Sequence, residues 1–150
     1  MKTLYYTTTI EASPIKVHEA MLDKTIYQEW TKAFSPTSNY RGTWEEGTKV
    51  HFLSTDDNGD EMGLISRIDK NIPGEIVIVR HIGILSKDGE QYEGEEVEPW
   101  KNFLEVYRFK SIDGLTQLVC SLEVNTEEDE LMFDKIWAKA LEDLKRICES

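Results

Sequence analysis

The chain has 150 residues, 39% of them hydrophobic and 31% charged, and its 29 acidic against 17 basic residues leave a net charge of −12. That length suits a single domain spanning residues 1–150, able to bury roughly 70% of the surface its unfolded form exposes without help from a disulfide or a metal. The acidity repels phosphate and so disfavours nucleic acid and anionic membranes, and no run approaches the ~18 consecutive apolar residues of a membrane span.

Residues 4–11 are rich in Tyr, Thr and Ile, which suit a half-buried strand. Ser13-Pro14 then offers an N-cap followed by proline at the first helical position. Ile15, Val17, Ala20 and Met21 include the spacing of one buried helical stripe, and Asp23 can cap a second short helix carrying Ile26, Tyr27 and Trp30. That helix is expected to stop before Ser35-Pro36.

From Ser38 onward the pattern becomes short β-like runs separated by turn residues. Strands are predicted at 39–44, 48–54, 62–70, 75–85, 102–110 and 116–124. Their separators are Glu46-Gly47, Asp57-Asn58-Gly59, Pro73-Gly74, Asp88-Gly89 and Asp113-Gly114, each providing a glycine for a tight turn. Antiparallel pairing of sequence neighbours follows, and the lack of crossover helices excludes a parallel βαβ architecture. Between the fifth and sixth predicted strands, residues 86–99 carry Glu90, Glu93, Glu95, Glu96 and Glu98. They read as a long solvated loop, with a lid or a partner-docking surface as the alternative.

The last segment has Asn125-Thr126 as caps, four acidic residues in its first turn, and Lys145 and Arg146 near its end, which matches the helix dipole at both ends. Phe133, Ile136, Trp137, Ala140, Leu141, Leu144, Ile147 and Cys148 form a continuous apolar face over a helix roughly 33 Å long. Only the sheet offers a surface large enough to cover it. No repeat, low-complexity run or linker divides the chain.

This order of elements, taken with particular residues, resembles the START-like or Bet v 1-like superfamily (SRPBCC). Within it the chain is similar to the domains related to the C-terminal half of the activator of Hsp90 ATPase. The residues that carry the resemblance are Ser13-Pro14 with Val17, Trp30 closing the second helix, Glu46-Gly47-Thr48, and Gly63 in the fourth strand. Trp100, Glu105 and Tyr107, then Gly114-Leu115-Thr116 with Leu118, and finally Phe133, Trp137, Leu141 and Leu144-Lys145 complete it, so that it covers essentially the whole chain. It implies an α+β helix-grip fold: a curved antiparallel sheet of about seven strands around a long C-terminal helix, with two short helices between strands 1 and 2. It also implies a cavity between sheet and helix. The superfamily includes lipid and sterol carriers, hormone receptors, polyketide cyclases and aromatases, and co-chaperone modules, so the resemblance supplies a class rather than an activity.

Alternate residues of a strand share a face. Phe103, Glu105, Tyr107 and Phe109 are therefore read as inward, as are Thr116, Leu118, Cys120, Leu122 and Val124, because Gln117, Ser121 and Glu123 on the other alternation prefer water. Val50 and Phe52 join them, with Lys49 and His51 outward, whereas residues 76–82 are apolar on both alternations and leave their register open. Glu105 is the odd member. A carboxyl among aromatics is desolvated, and its pKa rises unless a donor neutralises it. It is either a polar anchor or acid/base beside Tyr107, or a structural carboxylate bonded to Arg67, Arg80 or Arg108. Trp30, Trp44, Trp100 and Trp137 could line the cavity or fill the core, with Trp44, beside a turn, favouring core or surface.

Metal and nucleophile motifs are missing. His18, His51 and His81 show no paired spacing, Asp56-Asp57-Asn58-Gly59-Asp60 lacks the ligand alternation of a calcium loop and reads as a hairpin turn, and Cys120 and Cys148 fall in apolar patterns as buried thiols. The opening residues lack a signal-peptide pattern, so a cytoplasmic protein is expected. The functional expectation is a binding domain, without an added cofactor, that takes a small hydrophobic or amphipathic molecule between sheet and helix. Trp30, Phe52, Phe103, Glu105, Tyr107, Phe133 and Trp137 are its candidate ligand contacts. The alternatives are an enzyme of the cyclase or aromatase type using Glu105 and Tyr107, and a co-chaperone module with a protein partner.

Overall fold

The structure, a computed structural model, describes residues 1–150. In chain order it contains β1 (Lys2–Ile10), α1 (Pro14–Leu22), α2 (Lys24–Trp30), a 3-10 turn (Thr31–Ala33), β2 (Asn39–Gly42), β3 (Lys49–Thr55), β4 (Glu61–Ile72), β5 (Ile76–Ser86), β6 (Gly89–Gln91), β7 (Leu104–Ile112), β8 (Leu115–Val124) and α3 (Glu127–Glu149). The strands make one antiparallel sheet in the order β1-β8-β7-β5-β4-β3-β2, with β6 added to β5. This is the expected α+β helix-grip arrangement.

Local chemistry sets the helix ends. Ser13 Oγ accepts from the Lys16 N–H at 3.2 Å ahead of Pro14, and Asp23 both ends α1 and caps α2 through the Thr25 and Ile26 N–H groups at 3.1 and 3.0 Å. Thr126 caps α3 through the Asp129 N–H at 3.0 Å, with Glu127, Glu128, Asp129 and Glu130 in the first turn and Arg146 in the last. Ser13, Asp23 and Thr126 each satisfy a donor that the helix itself leaves unpaired. Along α3, Trp137, Ala140, Leu141, Leu144 and Cys148 are buried in the cluster that also holds Val50, Ile68, Val77, Val79, Tyr107, Leu118 and Leu122 of the sheet. Full burial of each large apolar side chain stabilises by about 1.5–3 kcal/mol, which is why a helix with an acidic outer face stays on the sheet.

The predicted strands from residue 39 onward pair antiparallel with their neighbours, as expected, and β1 closes the other side by running antiparallel to β8, with Leu4 opposite Leu122, while β2 lies at the far edge. The two short helices carry the chain across the open end of the sheet, so β1 and β2 never meet. Residues 86–99 are not simply a solvated loop: they contain β6, bury Val97 completely and lie over the convex face. There Glu90 bonds His51 at 2.8 Å, and the Tyr92 hydroxyl lies 2.9 Å from Lys49 Nζ. Gly83 makes room for this strap, because a Cβ there would lie 2.8 Å from the Tyr92 ring. Ser121 does not face water either; it is buried, with Arg108 against its hydroxyl at 3.5 Å.

The open register of β5 is decided by its partners. Val77 lies opposite Tyr107 and Val79 opposite Glu105, and both valines belong to the core. Opposite β4, His81 pairs with Ser66 and Gly83 with Ile65, which leaves Ile82 as an extra residue. Such a bulge interrupts the alternation locally. His81 keeps the alternation of Val77 and Val79 and faces the helix, while the bulge puts Gly83 on the other face, under the strap. A second irregularity at Asp69 lets its carboxylate bond both Arg67 at 3.0 Å and Arg80 at 2.7 Å, which stand directly opposite each other on the convex face. Asp56 Oδ1 accepts from the Asn58 and Asp60 N–H groups at 2.9 and 3.0 Å, as a hairpin turn requires. No helix is long and apolar enough to cross a membrane.

Candidate functional site

The concave face and the first half of α3 do not meet everywhere. Between them lies a cavity of about 560 Å³, inside the few-hundred to thousand Å³ range of small-molecule sites. Its far wall is the sheet: Phe52 from β3, His81 from β5, Phe103, Glu105 and Tyr107 at the start of β7, and Leu122 from β8. Phe133 and Trp137 come from α3, and Tyr27, Trp30 and Phe34 from α2 and the turn after it. The seven residues singled out from the sequence thus converge on one space.

Aromatic packing shapes the walls. Trp137 stacks on Tyr6 with centroids 5.8 Å apart, meets Phe34 edge-on at 5.2 Å, and lies 6.1 Å from Trp30 and 6.4 Å from Tyr107. Trp30 is anchored by its indole N–H, which donates to the Met21 carbonyl at 3.2 Å. Trp137 is as deeply buried, yet its indole N–H has no protein partner. Of the other two tryptophans, Trp100 lines the cavity while Trp44 packs in the core against Tyr27, Tyr40 and Phe52.

One polar chain crosses the apolar wall. The Tyr107 hydroxyl donates to Glu105 Oε2 in a short hydrogen bond. The other oxygen, Oε1, lies 3.7 Å from His81 Nε2, and the opposite ring nitrogen of His81 bonds Ser66 Oγ at 2.8 Å. None of the arginines considered as partners for Glu105 bonds it: Arg67 and Arg80 are held by Asp69, and Arg108 faces Ser121. The arginines sit on the convex face because they fall on the outward alternation of their strands. Burial, then the charge of Glu105, pushes the Tyr107 phenol well above its ordinary range, and the same two causes raise Tyr27 and Cys120. Both phenols stay protonated, and that of Tyr107 is the donor to Glu105. Ser66 is fully buried and outside the cavity wall, so it orients His81 and offers no nucleophile. No group of three or more His, Cys, Asp or Glu side chains is arranged to hold a metal ion.

His81 was not visible as part of this group from the sequence. Its inward direction depends on the β5 register, which places it on the face of Val77 and Val79, and both alternations of β5 are apolar. Tyr27 and Phe34 escaped for a related reason: the angle at which α2 crosses α3 decides which of its aromatics reach the cavity.

Similar solved structures all share this architecture. The Aha1 dimer from Colwellia psychrerythraea superposes with a TM-score of 0.73 at 19% identity, over 99% of this chain and 97% of that one. The chain has an Aha1-like fold. A protein from Nitrosomonas europaea follows at TM-score 0.71 and 14% identity, covering 96% and 92% of the two chains, and one from Mycobacterium smegmatis at 0.70 and 14%, covering 97% and 89%. No family model and no curated protein matches the sequence. At such identities the Aha1-like fold carries the architecture alone, and the activity has to be argued from the site.

Proposed function

We propose that this protein binds a small apolar or amphipathic molecule in the cavity between its sheet and α3. The observation that carries the proposal is a space of about 560 Å³ whose wall is built largely of aromatic side chains, with Glu105, Tyr107 and His81 as a polar group on the sheet side. A chain built only for stability would fill such a space, since interiors are close-packed and an empty volume forfeits contacts. Trp30, Phe52, Phe103, Phe133 and Trp137 would supply the contact area, and Glu105 with Tyr107 would orient a polar group of the ligand.

Native mass spectrometry of the freshly purified protein, followed by thermal-shift screening of sterols, flavonoids, polyketide-like aromatics and aliphatic amphiphiles, tests this reading. A ligand at 100 times its dissociation constant adds about 2.7 kcal/mol, which raises the midpoint by roughly 5–10 °C for a domain of this size. The expected result is a co-purified mass or such a shift, lost in a folded Tyr107→Ala variant. Silence across every class would overturn it.

A second reading, proton transfer on a bound substrate, is favoured by His81 standing 3.7 Å from Glu105. Tyr107 is a poor participant, because burial holds its proton. Turnover abolished in Glu105→Gln with binding retained would support this alternative. A docking role with a protein partner draws on the Aha1-like fold alone, and a pull-down with Hsp90 tests it.

A further inference from the structure

The charges on the cavity wall are one-sided. Three carboxylates line it, Glu105, Glu123 and Asp129, while none of the chain's 17 lysines and arginines does. The single basic side chain there, His81, stands against Glu105, so any charge it carries is directed at that carboxylate and leaves Glu123 and Asp129 uncompensated. Glu123 is already engaged through Oε1 with the Leu104 N–H at 2.7 Å, which holds it at the start of β7.

Glu105 differs from the other two. Oε2 accepts the hydrogen bond of the Tyr107 hydroxyl, but Oε1 has only His81 Nε2 at 3.7 Å, beyond hydrogen-bond reach. An acceptor-only group of a half-buried carboxylate is thus left open beside aromatic faces.

From this arrangement, and resting on the ligand-binding reading above, we infer that the cavity selects amphiphiles whose polar end donates hydrogen bonds, amines foremost and alcohols next, and rejects carboxylates. An ammonium group would meet Glu105 Oε1 in a charge-assisted bond and find the ring faces of Trp30 and Phe133 within the same enclosure. A carboxylate placed there would face three like charges with no cation to receive it, on a protein already at −12. Fatty acids and bile-acid-like anions are therefore excluded by charge although they match the cavity in hydrophobicity.

The test holds the apolar body constant. Affinities of naphthylethylamine, naphthylethanol and naphthylacetate for the wild-type protein are measured by calorimetry at low salt, and again for Glu105→Gln. That variant keeps an acceptor for the Tyr107 hydroxyl, and its fold is checked by circular dichroism. The expected order is amine, alcohol, carboxylate, with about tenfold or more between the first and last, as one charge-assisted bond supplies. In Glu105→Gln the gap should narrow to about threefold. Naphthylacetate binding as tightly as the amine overturns the inference but leaves the cavity reading intact. Binding of none of the three overturns the inference, while the cavity reading falls only if the wider screen above is silent as well. An undiminished amine preference in folded Glu105→Gln overturns the role given to Glu105.

Discussion

Trp30 and Trp137 are equally buried, at 1% exposure, and their rings lie 6.1 Å apart, yet the same substitution should affect them very differently. Replacing either by Phe removes the same indole area, so the hydrophobic loss cancels in the comparison and the hydrogen bonds decide. Trp30 donates to the Met21 carbonyl, one of the last carbonyls of α1 that the helix leaves unpaired. Trp30→Phe strands that buried acceptor, at a cost of about 1–3 kcal/mol beyond the area lost. Trp137→Phe instead removes a donor that has no partner, and regains a similar amount. Urea unfolding followed by far-UV circular dichroism should therefore place Trp30→Phe about 2–6 kcal/mol below Trp137→Phe. In melting temperature that is on the order of 5–25 °C. Equal losses, or a greater loss at Trp137, would refute this reasoning and mean that the Trp137 indole is hydrogen-bonded to water held in the cavity.

Two further predictions concern charge. Burial lowers the pKa of His18, whose neutral Nδ1 accepts from the Gly74 N–H at 3.1 Å. The unfolded chain then binds the proton more readily, so stability should be full above about pH 6.5 and fall as the pH drops from there toward the lowered folded value. Urea midpoints at pH 7 and pH 5 measure the loss, which His18→Gln should reduce because its amide oxygen can still accept without titrating. At Asp69, burial pushes the carboxyl upward, but the bonds from Arg67 and Arg80 outweigh it and hold the group below the usual carboxylate range. Asp69→Asn should cost about 1 kcal/mol at pH 7 by leaving two arginines face to face. The gap between variant and wild type should close as the pH falls below about 3.9 and through the folded value, since protonation then removes the same charge from both.

How far the sequence could be read depended on whether a pattern was local. Ser13-Pro14, Asp23 and Thr126 act within one helical turn of themselves, and the structure uses each as expected. The strict alternation in β7 likewise brought Phe103, Glu105 and Tyr107 to one wall without knowledge of any neighbour. The partner of Glu105 was not readable, because Arg67, Arg80, Arg108 and His81 compete for it and only register chooses among them. The strap over residues 86–99 was missed because glutamates dominate its composition, while the anchors that matter are Tyr92 and Val97 and the bare backbone at Gly83.

The amino-acid sequence by itself determined the three helices and every strand but β6, which face of α3 is buried and that the sheet must cover it, since these follow from periodicity and from caps a few residues apart. Tertiary structure alone decided that β1 joins β8, that the register of β5 points His81 inward, and that a cavity lies between sheet and helix. The reason is physical: a cavity and a polar pair within it are properties of distances between elements far apart in the chain. Those distances are set by packing, by a one-residue bulge and by the crossing of three helices, none of which leaves a period in the sequence.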